Sequence, residues 1–166
     1  MSNNFDTLMK DAVERYLPQN DWRLLKAQLL AESNLNPNAV SPVGAMGIAQ
    51  FMPGTWQQVS REMNLPRDAG AFDPKWAIPA SAFYMRKLWD SWSAPRPDTD
   101  RYCLALASYN AGFGNLLAAQ RGAGGVNDYA SIIRALPLVT GRHARETTNY
   151  VGRIWRLWAQ QVGIAL

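Results

Sequence analysis

Residues Ala31–Trp56 read A-E-S-N-L-N-P-N-A-V-S-P-V-G-A-M-G-I-A-Q-F-M-P-G-T-W. An apolar helical pattern leads into them, with Trp22, Leu25 and Leu29 recurring at spacings of three and four. Glu32 falls on the same stripe, so its carboxyl points inward. The helix is expected to stop at Asn36-Pro37, because proline biases the preceding residue away from helical dihedrals. Glu32 then sits at the negative end of the helix dipole, on a face shielded from water. Both conditions disfavour its ionised form and suit a general acid near neutral pH. The plainer reading is a helix-terminal glutamate that snorkels to solvent.

The residues after Glu32 give the acid a setting. Ser41-Pro42-Val43-Gly44-Ala45-Met46-Gly47 carries two glycines three apart, in a stretch too small and turn-prone for ordinary core. Gln50 and Met52 come next, and Pro53 fits the first turn of a new helix. The order is acid, glycine-rich connection, polar and soft apolar side chains, then helix: one wall of a cleft.

These residues resemble the signature of the soluble lytic transglycosylases, lysozyme-like enzymes that cut the glycan strands of peptidoglycan. The shared positions are Glu32-Ser33, Pro37, Ala39, Ser41, Gly44-Ala45, Gly47, Gln50, Met52-Pro53 and Thr55, with Ile48 where the family usually has Leu. Three further segments keep the family order. Asp73, Pro74, Ile78, Ala80 and Tyr84 match the second, where a helix cap explains Asp73 better than a second catalytic carboxylate. Ser108-Tyr109-Asn110-Ala111-Gly112 matches the third, with Ser108 for the commoner Ala. Glu146-Thr147-Thr148-Asn149-Tyr150-Val151 matches the fourth. The resemblance covers roughly Trp22 to Ile154 and implies an all-α, mainly helical, lysozyme-like globular domain with a substrate cleft.

Size and composition agree with that class. A chain of 166 residues suits a single domain spanning 1–166, whose first helix, residues 3–17, packs on the core. No apolar run is long enough for a transmembrane helix, and Met1–Asp6 shows no basic-then-apolar leader. Cys103 is alone and reads as a small core residue. With one His in the chain there is no convincing metal set, and no cofactor is implied. Up to Gln120 the charges balance at eleven basic and eleven acidic. From Arg121 onward six Arg face only Asp128 and Glu146, which places the whole +4 excess at the C-terminal end. Basic residues suit nucleic acid or an acidic polymer, but no helix-turn-helix, zinc or RNA-binding pattern accompanies them. The expected partner is therefore the anionic wall, approached by a monomer, with no nucleic acid.

Further helices are expected from Pro53 to Met63, from about Ile78 to Trp92, from about Asp100 to Gly112, over Asn115–Gln120 and Asn127–Ala135, and from Glu146 onward. Pro79 argues for a short turn before Ile78. Tyr109 and Asn110 read equally as core and cap. Glu146 reads equally as an ion-pair partner of Arg142 or Arg153, sharing a face with Tyr150.

Ordinary glycoside hydrolysis wants two carboxylates. The chain has four Glu, and no Asp or Glu stands between Glu32 and Glu62. A substrate-assisted route needs one. By the resemblance, Glu32 protonates the glycosidic oxygen between N-acetylmuramic acid and N-acetylglucosamine. The N-acetyl oxygen stabilises the developing cation. Glu32 then removes the C6 hydroxyl proton as that hydroxyl closes a 1,6-anhydro ring. Ser41, Gln50, Met52, Tyr109, Asn110, Glu146 and Tyr150 are the implied substrate-binding residues. Rival readings are a muramidase of the same fold, in which water attacks, and a non-catalytic wall-binding module. With no leader visible and a substrate outside the cytoplasmic membrane, the expectation is a phage lysis protein or virion component, ahead of a cargo of a specialised secretion apparatus or an excised domain of a longer protein.

Overall fold

The computed structural model describes residues 5–166, and its regular structure is helical. The first four residues, including the start of the expected 3–17 helix and most of the stretch read for a leader, lie outside the described residues. Two compact units form. One comprises residues 5–84 with 154–166, and the other residues 85–153.

In the first unit, α1 (Asp6–Tyr16) buries Met9, Ala12 and Val13, the face that its 3.6-residue period sets out. It packs on α2 (Trp22–Ser33). Asp21 caps α2, accepting from the Arg23 N–H at 3.0 Å and from the indole N–H of Trp158 at 3.0 Å. Partial burial works against the Asp21 carboxylate, but the Arg23 side chain and backbone donors with Trp158 outweigh it and hold its pKa below the usual value. α2 ends earlier than Asn36-Pro37 suggests. Asn34 turns left-handed at φ 54° and returns its N–H to Leu30, so the stop is an asparagine cap and not the proline.

α3 (Pro53–Glu62) begins with Pro53 in its first turn, as expected. α4 (Pro74–Ser91) corrects the expectation of a turn before Ile78: the helix runs straight through Pro79. Asp73 accepts from the Lys75 N–H at 3.0 Å, so the helix is already capped at Asp73. Only the Lys75 carbonyl loses its i+4 donor to Pro79, and Lys75 is exposed to water that can replace it.

The second unit holds α5 (Asp98–Ala111), α6 (Phe113–Gly122), α7 (Tyr129–Ala135) and α8 (Pro137–Thr140), with α5 packed on α6 and α7 and α6 on α7 and α8. The single turn α8 starts on Pro137, at a position where its missing N–H costs nothing. α9 (His143–Val162) begins one turn before Glu146. Cys103 is buried, and α5 contributes residues 102–108 to the core without interruption.

Ser108, the departure from the family's Ala, has a specific task. Fully buried, it donates to the Leu104 carbonyl at 2.7 Å and accepts from the buried Trp92 indole N–H at 2.9 Å. Ser108→Ala strands that N–H without water or partner, and urea denaturation should show a loss of about 1–3 kcal/mol. Trp92→Phe should remove most of the penalty of a second Ser108→Ala change, a coupling that a double-mutant cycle measures directly. Additive losses would show that the pair does not interact.

Candidate active site

Glu32 occupies the last turn of α2 and is half-buried. The next residue anchors that turn to the glycine-rich segment: Ser33 Oγ donates to the Ile48 carbonyl at 2.8 Å. Sequence does not single out Ser33 as an anchor, because its acceptor lies 15 residues away and is a backbone atom.

The segment after Glu32 folds into a small clip. Met46 forms isolated antiparallel bridges with Val40 and Phe51. Gly47 donates its N–H to the Ala39 carbonyl at 2.7 Å. Gln50 closes the clip, its amide Nε2 donating to the carbonyls of Gly47 at 2.9 Å and Ala39 at 3.2 Å. Both amide hydrogens are thus committed to the loop, and the side-chain oxygen is what Gln50 can offer a ligand. Ser41 Oγ accepts from the Ala45 N–H at 3.0 Å and keeps its own proton to donate. Met52 is exposed immediately before α3.

The backbone here is tense. Of four non-glycine residues with positive φ among the described residues, Asn34, Leu35 and Gln50 lie between Glu32 and Met52. Gly44 and Gly47 also have positive φ, at 90° and 75°. Glycine takes such angles freely and Asn34 is a helix cap, so the strain lies at Leu35 and Gln50, where it persists because the surroundings over-determine it.

In the second unit, Asn110 and Glu146 line one cleft of about 410 Å³, together with Asn115, His143 and Thr147. Asn110 Oδ1 accepts from the buried Thr147 hydroxyl at 2.7 Å, which fixes the amide and leaves Nδ2 as its donor to the cleft. Thr147 is the positioning residue here; no signal in the sequence marks that role, since its partner is 37 residues away. Glu146 is exposed and forms no ion pair with Arg142, Arg153 or any other of the described residues, so the salt-bridge reading does not hold. Tyr109 and Tyr150 are half-buried and outside the lining of this cleft. Among the described residues no cluster of three or more His, Cys, Asp or Glu could hold a metal ion.

Known proteins resemble this chain across the same segments. The profile of the transglycosylase SLT domain matches residues 12–132. The membrane-bound lytic murein transglycosylase F of Photobacterium profundum is 31% identical over 165 residues, covering 90% of this chain and 31% of that protein. Its counterpart in Shewanella halifaxensis is 34% identical over 141 residues, covering 82% and 28%. The chain therefore spans about a third of the length of these curated relatives. Among solved structures, the 70 kDa soluble lytic transglycosylase of Escherichia coli superposes with a TM-score of 0.71 at 24% identity, over 93% of this chain and 24% of that one. The same kind of enzyme in complex with bulgecin A gives 0.69 at 26% identity, over 90% and 23%. An inactive glutamate-to-glutamine mutant of the Pseudomonas aeruginosa enzyme gives 0.72 at 21%, over 95% and 24%. The family profile covers well over half of the chain, Glu32 and its clip included, on a lysozyme-like helical fold, and the chain belongs to the transglycosylase SLT family.

Proposed function

We propose that this chain is a peptidoglycan lytic transglycosylase. It cleaves the β-1,4 bond between N-acetylmuramic acid and N-acetylglucosamine and leaves a 1,6-anhydromuramoyl end. The observation that carries this reading is Glu32: one half-buried carboxylate in the last turn of a helix pinned to a strained glycine-rich clip, with no acidic residue from there to Glu62. A two-carboxylate hydrolysis lacks its second group on this segment, whereas intramolecular closure needs only one acid that later serves as base. The family relatives support the same chemistry by name, and a glutamate-to-glutamine change silences one of them.

In this mechanism Glu32 gives its proton to the departing glycosidic oxygen, and the substrate's N-acetyl oxygen shields the cationic carbon. Glu32, now a carboxylate, takes the C6 hydroxyl proton as that oxygen bonds to the anomeric carbon. No water is consumed. Ser41, Gln50, Met52, Tyr109, Asn110, Glu146 and Tyr150 bind and orient the sugars, with Ser41 and Asn110 as donors and Gln50 as acceptor. The chain acts as a monomer on wall glycan outside the cytoplasmic membrane, without nucleic acid. None of its helices among the described residues is long and apolar enough to cross a membrane.

Mass spectrometry of muropeptides released from purified sacculi tests the reading. The expected products are anhydro species, lighter by one water than hydrolysed ones. Reducing-end products alone would make the chain a muramidase, and no release at all would leave a wall-binding module.

A further inference from the structure

A second depression lies in the first unit, along α3 and the loop that follows it, with a volume of about 540 Å³. Trp56, Gln57 and Arg61 line it from α3, and Leu65, Pro66 and Arg67 from the loop after that helix. No Asp or Glu contributes to the lining. Arg61 and Arg67 are exposed and form no ion pair among the described residues. Their acidic neighbours in sequence do not change this: Glu62 accepts from the Gln58 amide at 2.9 Å, and Asp68 makes no ion pair among the described residues. The Trp56 ring packs edge-on against Phe51 at 5.3 Å, and its indole N–H makes no hydrogen bond to a described residue. The lining thus brings together two arginines, a tryptophan and a glutamine with Leu65, Pro66 and Ala69.

That set of groups has a definite complement. Guanidinium forks match carboxylates in bidentate geometry, and indole adds a donor without an opposing acceptor. Leucine, proline and the indole face suit short aliphatic side chains. We propose that this depression binds a carboxylate-bearing peptide, the stem peptide attached to the glycan strand, as a site separate from Glu32. The substrate identity rests on the function proposed above; the binding chemistry does not. Met52 directly precedes the proline that opens α3 in the lining, so the depression continues the clip along the chain. A bound stem would hold its strand near the clip without touching the reacting bond.

The test uses the full chain and a synthetic L-Ala–D-isoglutamate–diaminopimelate–D-Ala peptide, monitored by ¹⁵N NMR. The peptide should produce saturable shifts at the Trp56 indole and at the Arg61 and Arg67 side chains. Its carboxyl-amidated form should bind about tenfold more weakly or worse, and so should the free peptide to Arg61→Ala/Arg67→Ala. On sacculi, the double variant should raise KM several-fold with kcat unchanged. On glycan stripped of its peptides it should match the parent chain. No shifts at these residues, or equal binding of the amidated peptide, would overturn the site. Inorganic phosphate shifting the same resonances as strongly as the peptide would reduce it to a general anion site and overturn the peptide assignment. Peptide binding without any glycan cleavage would keep the site and remove the proposed function.

Discussion

Glu32→Gln should lower glycan cleavage by on the order of 10³-fold or more while leaving the fold as it is. The size follows from double duty. The same carboxyl donates a proton in the first half of the reaction and accepts one in the second, and an amide does neither. Stability should move little and in a known direction. Glu32 stands in the last turn of α2, where the helix dipole disfavours an anion by about 0.3–1 kcal/mol, so its neutral isostere loses a repulsion along with any contact the carboxylate makes. For a chain of this length, 1 kcal/mol corresponds to a Tm change of about 2–4 °C. Thermal melts should therefore overlay within that range, while the turbidity assay on purified peptidoglycan goes flat. Asp73→Ala provides the opposite result. Asp73 caps α4 through the Lys75 N–H, so its loss should cost about 0.5–2 kcal/mol and leave turnover of the folded protein intact. A Glu32→Gln chain that clears wall at the parent rate would remove the acid from the mechanism. An Asp73→Ala chain that melts normally but does not cleave would move the chemistry to the residue read as a cap.

Features written in adjacent residues are legible in the sequence; those that depend on distant partners are not. The Asp73 cap and Pro53 at the head of α3 each rest on neighbours within a turn, and the structure has them. Pro79 misleads because the rule for proline in a helix ignores position: close to the capped end, the orphaned Lys75 carbonyl is still wet. Asn36-Pro37 sets the end of α2 too late because a left-handed asparagine stops a helix as firmly as a proline beyond it. Ser33 and Thr147 escape a sequence reading for a different reason. Each is ordinary on its own helix and becomes specific only through an acceptor on another segment, Ile48 O or Asn110 Oδ1. The depression with Arg61 and Arg67 is the same case, since neither arginine is distinctive until the loop after α3 turns back beside it.

The clip supplies the second large effect. Gly44 and Gly47 look alike in sequence and both have positive φ, yet their surroundings differ. A Cβ on Gly44 would meet nothing within 4 Å, whereas one on Gly47 would lie 2.1 Å from the Ala71 carbonyl oxygen and 3.0 Å from its carbon. Gly44→Ala should therefore carry only the left-handed penalty, about 1–2 kcal/mol. Gly47→Ala adds a collision with backbone, which no rotamer change relieves, and should cost about 2–5 kcal/mol in all. The damage should reach function too. Gly47 donates to Ala39 and accepts from Gln50, so a displaced Gly47 loosens the latch that shapes the segment after Glu32. Under conditions where both variants stay folded, Gly44→Ala should keep most of its cleavage rate and Gly47→Ala should lose most of it. Paired urea melts and turbidity assays decide the matter. Equal losses in the two variants would mean that the clip tolerates movement against the Ala71 segment. Glu32 would then act without the preorganised neighbour that the close approach at Gly47 provides.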